Sequence, residues 1–452
     1  DVTNSGIIHY NRTTSAVQDF DYVYWSSPVA GQTLGALSSL SDKYWSWGVD
    51  NWVKAEAGDV MAKGQGYIAR VPRYTSPQNV EFVGVPFNGP VTVPSKGDTK
   101  GNLVGNPYPC AVDAVKFINT NIGSLDVGTL YFWTHVGNRT LNGSGTQYVY
   151  SSNDYASFNS SGGLKAVNGG EIPNGTIAAG QSVFVIGKGT GDLVFTNSMR
   201  LDATNAVNDN SQFFKQANTK KAEKVERNRV WLNLTNDGGA FKQLLVGYIT
   251  GASNGFDKSF DGPTFNGNTF VDFYSINDSK NYAIQGRGLP FDPEDEVPLG
   301  YKTTIAGTFQ IGIDEADGSM VNQEIYLEDK TANTIHNLTK GPYSFTTAIG
   351  EFKDRFVLRY TNTSKLGTDD VAAKGKGVVV SVKNSQIKIN SFEKAISSVK
   401  VYDLKGSLLY EKDKADSNEF VINHLNSSSQ FMIVMVQLED GNWVSEEIIF
   451  HD

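Results

Sequence analysis

The chain has 452 residues, of which 39% are apolar, 19% charged and 12% aromatic, and its formal charge is −9. That length exceeds what one ordinary core organises, so about three domains are expected, and the aromatic content excludes a disordered polypeptide. The Lys and Arg residues are scattered, which excludes the basic stripe that a nucleic-acid partner needs, and the longest strongly apolar run, residues 431–436, falls far short of the ~20 residues of a membrane-spanning helix.

The aromatics sit beside Val, Ile, Thr, Asn and Gly rather than Ala, Glu and Leu. Those are the residues of pleated strands and turns, so the expected fold class is all-β: tandem antiparallel β-sandwich domains ending in a small immunoglobulin-like β-sandwich. The single cysteine, Cys110, has no partner for an internal disulfide, and stability must come from buried sheets. Nothing near it in sequence lowers a thiol pKa, so a small buried residue is expected rather than a reactive one. Asp1 opens directly into polar sequence, so the expectation is a chain freed of its signal peptide or the tail of a longer polypeptide, soluble as it stands.

Residues 1–200 read as a β-sandwich surface module. Short runs at 19–25 (DFDYVYW), 66–71, 129–133 and 182–186 alternate with Gly-rich punctuation. In the first run Phe20, Tyr22 and Tyr24 fall on one face and Asp19 and Asp21 on the other, the period of two of a half-buried strand. One short helix is expected at 111–119, after the Pro107-Tyr108-Pro109 stop. Residues 201–227 read as a linker, with a strand-like piece at 212–214. A second β-sandwich domain follows at 228–361, with strands expected at 229–234, 243–250, 269–276, 301–313, 324–328 and 355–360. A second linker, 362–377, has no periodicity and carries both signs of charge. The last block, 378–452, shows seven short strand signals; Asp440-Gly441 joins the last two as a tight hairpin, since Gly accepts the positive φ of such a turn.

The last block also carries motifs. Val401-Tyr402-Asp403-Leu404-Lys405-Gly406, the Leu425-Asn426-Ser427-Ser428 stretch, Asp440-Gly441 and Ile448-Ile449-Phe450 together resemble the C-terminal sorting domain, type C, of the type IX secretion system of Bacteroidetes. Upstream, Val104-Gly105-Asn106-Pro107-Tyr108-Pro109 and Asp354-Arg355-Phe356-Val357-Leu358-Arg359-Tyr360 look like a module found ahead of such domains in flavobacterial adhesin-like surface proteins. The resemblance implies export across the outer membrane to the cell surface or beyond, with the translocon and its outer-membrane shuttle barrel as partners. It implies no enzyme and no cofactor. A folded address on a linker has a physical logic, because its terminal hairpin presents a strand edge to a receptor.

Other chemistry is thinly represented. Gly251-Ala252-Ser253-Asn254-Gly255 matches a nucleophile-elbow pattern, but the following FDKSFDG is not a helix former, so a turn is expected. Zinc is disfavoured by one Cys and well-separated His residues. Calcium has candidate oxygen ligands in Asp257, Asp261 and Asp272, or in Asp314, Glu315 and Asp317, without EF-hand spacing. Trp25, Tyr44, Trp45, Trp47, Trp52 and Trp133 invite a glycan-binding reading, although large aromatics usually fill sandwich cores. Trp45 and Trp47, on one face of a strand, are the candidates for an exposed pair. The alternatives to a display module are therefore a carbohydrate-binding module of a secreted glycan-degrading protein and a structural subunit of a surface filament.

Overall fold

A computed structural model describes residues 4–137, 140–141, 144–145, 148–189, 191–201, 226–264, 270–362, 378–383, 386–391, 394–403, 405–423, 425 and 430–450. Most of both expected linkers, the strand-like 212–214 and Leu404 lie outside the described residues. The fold is all-β, with mainly antiparallel sheets and, among the described residues, two short α-helices. None of the described helices is long and apolar enough to cross a membrane. The chain divides into two compact units, Asp1–Asn362 and Thr363–Asp452.

Within the first unit, the N-terminal half is built from small sheets. A four-stranded sheet orders Tyr22–Trp25, Tyr67–Arg70, Tyr44–Trp47 and Trp52–Ala55; a five-stranded sheet orders Gly162–Leu164, Tyr155–Asn159, Leu130–Trp133, Ser182–Ile186 and Gly101–Gly105. Period-two alternation gives each sheet two apolar faces. Val23, Trp25, Tyr44 and Ala69 enter one core, and Leu130, Phe132, Phe158 and Val183 enter another. The opposite faces carry Tyr24, Ile68, Leu103 and Trp133, which form a third, aromatic cluster shared by both sheets. Backbone bonds from Ser26 to Gly180 (2.8 Å) and from Gly66 to Leu103 (3.0 Å) stitch the sheets together. The approach is close enough to require glycine: a Cβ on Gly105 would lie 2.1 Å from that of Ser26.

The expected helix forms at Ala114–Asn121, capped by the Asp113 carboxylate, which accepts from the N–H groups of Val115 and Lys116. Ahead of it, the Asn106-Pro107-Tyr108-Pro109 run is structural. Buried Asn106 donates through Nδ2 to the carbonyls of Cys110 (2.7 Å), Ile177 (3.0 Å) and Ala178 (3.1 Å), and the Tyr108 hydroxyl donates to Gly89 O at 2.7 Å. Cys110 itself is half-buried, and Arg200 Nε donates to its sulfur at 3.2 Å.

The other half of this unit is one hydrogen-bonded sheet of 11 strands. It curls over on itself, so that Phe345 in the strand at one end packs edge-to-face 4.8 Å from Phe356, near the other end. The core so enclosed includes Leu232, Leu244, Phe273, Tyr301, Ile311 and Leu358. One pairing, Phe241–Ile249 with Lys280–Arg287, is parallel. The run expected as one strand at 301–313 is two, Glu296–Thr303 and Gly307–Asp317, broken at a glycine of φ +133°. Arg355 and Arg359 anchor this half: Arg355 binds the fully buried Asp329 (2.7 Å), and Arg359 binds Glu296 (2.9 Å) and Glu328 (2.6 Å). The two halves share a small apolar cluster, Leu164, Trp231, Leu245, Ala283 and Ile284.

The second unit contains all seven expected strands, in a three-stranded sheet (Val378–Lys383, Gln386–Ser391, Glu419–Ile422) and a four-stranded one ordered Leu408–Ser417, Ile396–Asp403, Gln430–Leu438, Trp443–Phe450. It has its own core, which includes Val378, Ile389, Val401, Val434, Ile448 and Phe450.

Candidate functional site

A cavity of about 380 Å³ opens on the aromatic face shared by the four- and five-stranded sheets. Buried Tyr24, Ile68 and Trp133 form its floor, and half-buried Tyr22, Trp45, Trp52, Tyr150 and Tyr155 its walls. Tyr24 stacks on Trp133, with centroids 5.6 Å apart and planes 8° off parallel. The wall rings stand at steep angles: Trp52 at 86° to Tyr24, Tyr155 at 71° to Trp133, and Tyr150 at 70° to Tyr22. These edge-to-face pairs hold each ring's orientation.

Hydrogen bonds fix the polar ends. The hydroxyls of Tyr24 and Tyr155 are 2.6 Å apart, Trp45 Nε1 donates to the Tyr22 hydroxyl at 3.1 Å, and the Tyr150 hydroxyl donates to Phe20 O at 2.5 Å. Burial raises the Tyr24 phenol well above its ordinary value, so it stays protonated. Trp133 Nε1 is buried without a hydrogen-bond partner among the described residues. Among the described residues, no charged side chain lines the cavity. Beside the floor, His135 lies 3.4 Å from buried Asp21, and Asp154, raised by burial, accepts from Gly137 N at 2.7 Å and Asn168 Nδ2 at 2.9 Å. This polar cluster supports the turn after Leu130–Trp133, where His135 adopts φ +59°.

Trp45 and Trp47 share a face of their strand, as expected, but both are half-buried rather than exposed. Only Trp45 reaches the cavity; Trp47 packs edge-on against Trp52 (5.0 Å) and Phe184 (5.1 Å) and donates to Gly101 O at 2.9 Å. Of the other aromatics singled out from sequence, Trp25 and Tyr44 belong to an internal core, whereas Trp52 and Trp133 line the cavity. Tyr22, Tyr24, Tyr150 and Tyr155 were missed as site residues. The alternation of Tyr22 and Tyr24 was the available signal, but it does not say which of two faces is the core.

Asp257, Asp261 and Asp272 are each engaged separately. The Asp257 carboxylate accepts from Ser253 N, Asp261 accepts from Asp257 N (2.6 Å) and Gly286 N (2.9 Å), and Asp272 accepts from Thr264 (2.7 Å) and faces Lys242 at 3.3 Å. Asp314 bonds Lys165 (2.8 Å) and Gln243 (2.9 Å), and Asp317 bonds Arg229. Among the described residues, no group of three His, Cys, Asp or Glu side chains is placed to hold a metal ion. Ser253 lies in an exposed turn after Phe241–Ile249, with no helix behind it.

In the second unit the motif residues occupy turns, core and the closing strand. Asp403 accepts from Lys405 N (2.9 Å) and Ser407 N (2.8 Å), which hold its carboxyl below the usual range, and Gly406 follows at φ +83°. Tyr402 is half-buried beside core Val401. The expected tight hairpin forms at Asp440-Gly441 with a three-residue loop: Leu438 N bonds Asn442 O (2.9 Å), and Gly441 sits at φ +83°. Asp440 also binds Lys394 at 2.6 Å. The closing strand Trp443–Phe450, which carries Ile448, Ile449 and Phe450, pairs only with Gln430–Leu438 among the described strands, and Val378–Lys383 runs close beside it.

The molecule is thus an all-β protein with an aromatic cavity in one unit and a small self-contained β-sandwich as the other. Its residues 1–360 match the model of a domain of unknown function (DUF8693), and the chain belongs to that family. Residues 366–450 match a second domain of unknown function, DUF8694. Both boundaries fall within a few residues of the break between the compact units. No curated protein matches. Among solved structures, the 47-kilodalton lipoprotein Tp47 of Treponema pallidum is 9% identical, with 71% of this chain and 86% of that one covered at a TM-score of 0.14. The BSP domain of a biofilm-associated protein is 11% identical, with 100% and 96% covered at a TM-score of 0.16. Likenesses this slight carry no functional inference.

Proposed function

We propose that the chain is a non-catalytic cell-surface display module, exported through the type IX secretion system by the sorting domain at 378–452. The observation that carries this reading is the autonomy of the second unit. All of its described core residues come from 378–450, so it folds around its own apolar centre. Asp403, Gly406, Asp440 and Gly441, the residues that carry the sorting-domain resemblance, shape the two turns of the four-stranded sheet. The first unit, with two larger cores and a curled sheet, then serves as the displayed part.

The test is a fusion of 378–452 to a foreign periplasmic reporter, in a bacterium that has the secretion system. Surface exposure of the reporter is expected; a reporter that stays in the periplasm would show that the segment is not a sufficient address.

A further inference from the structure

We propose that the aromatic cavity of the first unit binds a neutral saccharide, taking a single or terminal pyranose ring. This inference does not depend on the export route.

The cavity's volume of about 380 Å³ lies in the range of small-molecule sites, about 300–1,000 Å³. Its aromatic face is not needed for the cores, because the opposite faces of the same strands, through residues such as Val23, Trp25 and Phe132, already fill them. The rings instead line an opening, with Trp45, Trp52 and Tyr155 only half-buried. Aromatic faces of this kind accept the C–H face of a sugar ring without asking for charge.

The second observation is polar. Trp133 is 5% exposed, lines the cavity and holds an indole N–H that has no acceptor among the described residues. A buried donor left unmatched destabilises the protein until something accepts from it. On this proposal a small shift of the indole, whose nitrogen is closed to solvent in the structure, lets a saccharide hydroxyl or ring oxygen accept from that N–H, which an apolar guest would leave unmet. The Tyr22 hydroxyl accepts from Trp45 and keeps its own O–H to donate. With no charged residue among the described lining residues, an ionised ligand would be desolvated without a counter-charge there.

Geometry sets the size class. Extended polysaccharide surfaces call for coplanar rings, but here Trp52 stands at 86° to Tyr24 and Tyr155 at 71° to Trp133. Rings so disposed enclose one sugar rather than pave a track.

The test uses the full chain, with tryptophan fluorescence and calorimetric titration. The probes are neutral methyl pyranosides (gluco, galacto, manno and N-acetylglucosamine) and their short oligomers, with glucuronate as a charged control and indole as an apolar one. At least one neutral pyranoside is expected to saturate at concentrations up to about 10 mM, with glucuronate and indole weaker. Trp133→Phe, which keeps a ring and deletes only the N–H, should weaken binding by about tenfold. Trp52→Ala, at the half-exposed wall, should weaken it at least as much with an unchanged circular dichroism spectrum, and it keeps the test open if Trp133→Phe folds poorly. Failure of every neutral sugar, tighter binding of indole, or full affinity in a folded Trp133→Phe protein would each overturn the proposal.

Discussion

Tyr24 and Tyr155, 131 positions apart in sequence and on different sheets, bring their hydroxyls within 2.6 Å of each other across the floor of the aromatic cavity. The pair joins the four-stranded sheet to the five-stranded one at the point where both turn an aromatic face outward. Tyr155→Phe strands the buried Tyr24 hydroxyl and should cost about 1–3 kcal/mol, read as a shift in urea midpoint. The double Phe variant should lose less than the sum of the two single ones, because it leaves no unpaired hydroxyl.

Trp231 ties the two halves of the first unit. It is 3% exposed, and its N–H donates to Gly163 O at 2.8 Å while the Arg229 guanidinium sits 4.7 Å over its ring. Trp231→Ala should destabilise by about 3–5 kcal/mol and separate the halves into two calorimetric transitions. A single unshifted transition would show that the junction contributes little.

Asp261 gives a pH dependence with a definite sign. Burial raises its carboxyl to about 7, against the opposing bonds from Asp257 N and Gly286 N. Its unfolded value is about 3.9, so the folded state holds the proton more tightly. The resulting stabilisation is complete below about pH 4 and lost as pH rises through about 7. Unfolding free energy should therefore carry a falling component across that window, and Asp261→Asn should flatten it. An unchanged pH profile in the variant would place the titration elsewhere.

Asp329 behaves in the opposite sense. Burial favours its neutral form, but the bonds from Arg355, Ala332 N and Tyr343 outweigh that and hold the carboxyl below its ordinary value. Stability from this pair is present at neutral pH and lost as pH falls through the lowered value. Arg355→Met leaves a buried carboxylate alone and should cost about 3–5 kcal/mol, whereas adding Asp329→Asn should recover part of it. Chemical denaturation of the single and double variants at pH 7 checks this.

Local pattern made much of the fold readable. Alternation located Ser182–Ile186 to the residue, the seven strands of the second unit followed from short apolar runs between turn residues, and the Pro107-Tyr108-Pro109 stop placed the helix start within three residues of Ala114. What stayed hidden is non-local. Nothing in the runs at 343–347 and 350–359 says that the sheet curls until Phe345 meets Phe356. Leu130–Trp133 is buried at every position, so periodicity could not tell that Phe132 enters the core and Trp133 the cavity. Trp45 and Trp47 were visible as a same-face pair, but their burial depends on Trp52, Tyr22, Gly101 and Phe184, contributed by other strands.

The export reading stands or falls on the second unit. The decisive measurement is the location of a chain lacking 378–452, against the complete chain, in a bacterium with the secretion system, scored by protease accessibility on intact cells. The complete chain should be cleaved at the surface while the truncation stays protected in the periplasm; a truncation that reaches the surface as efficiently as the complete chain would contradict the assignment.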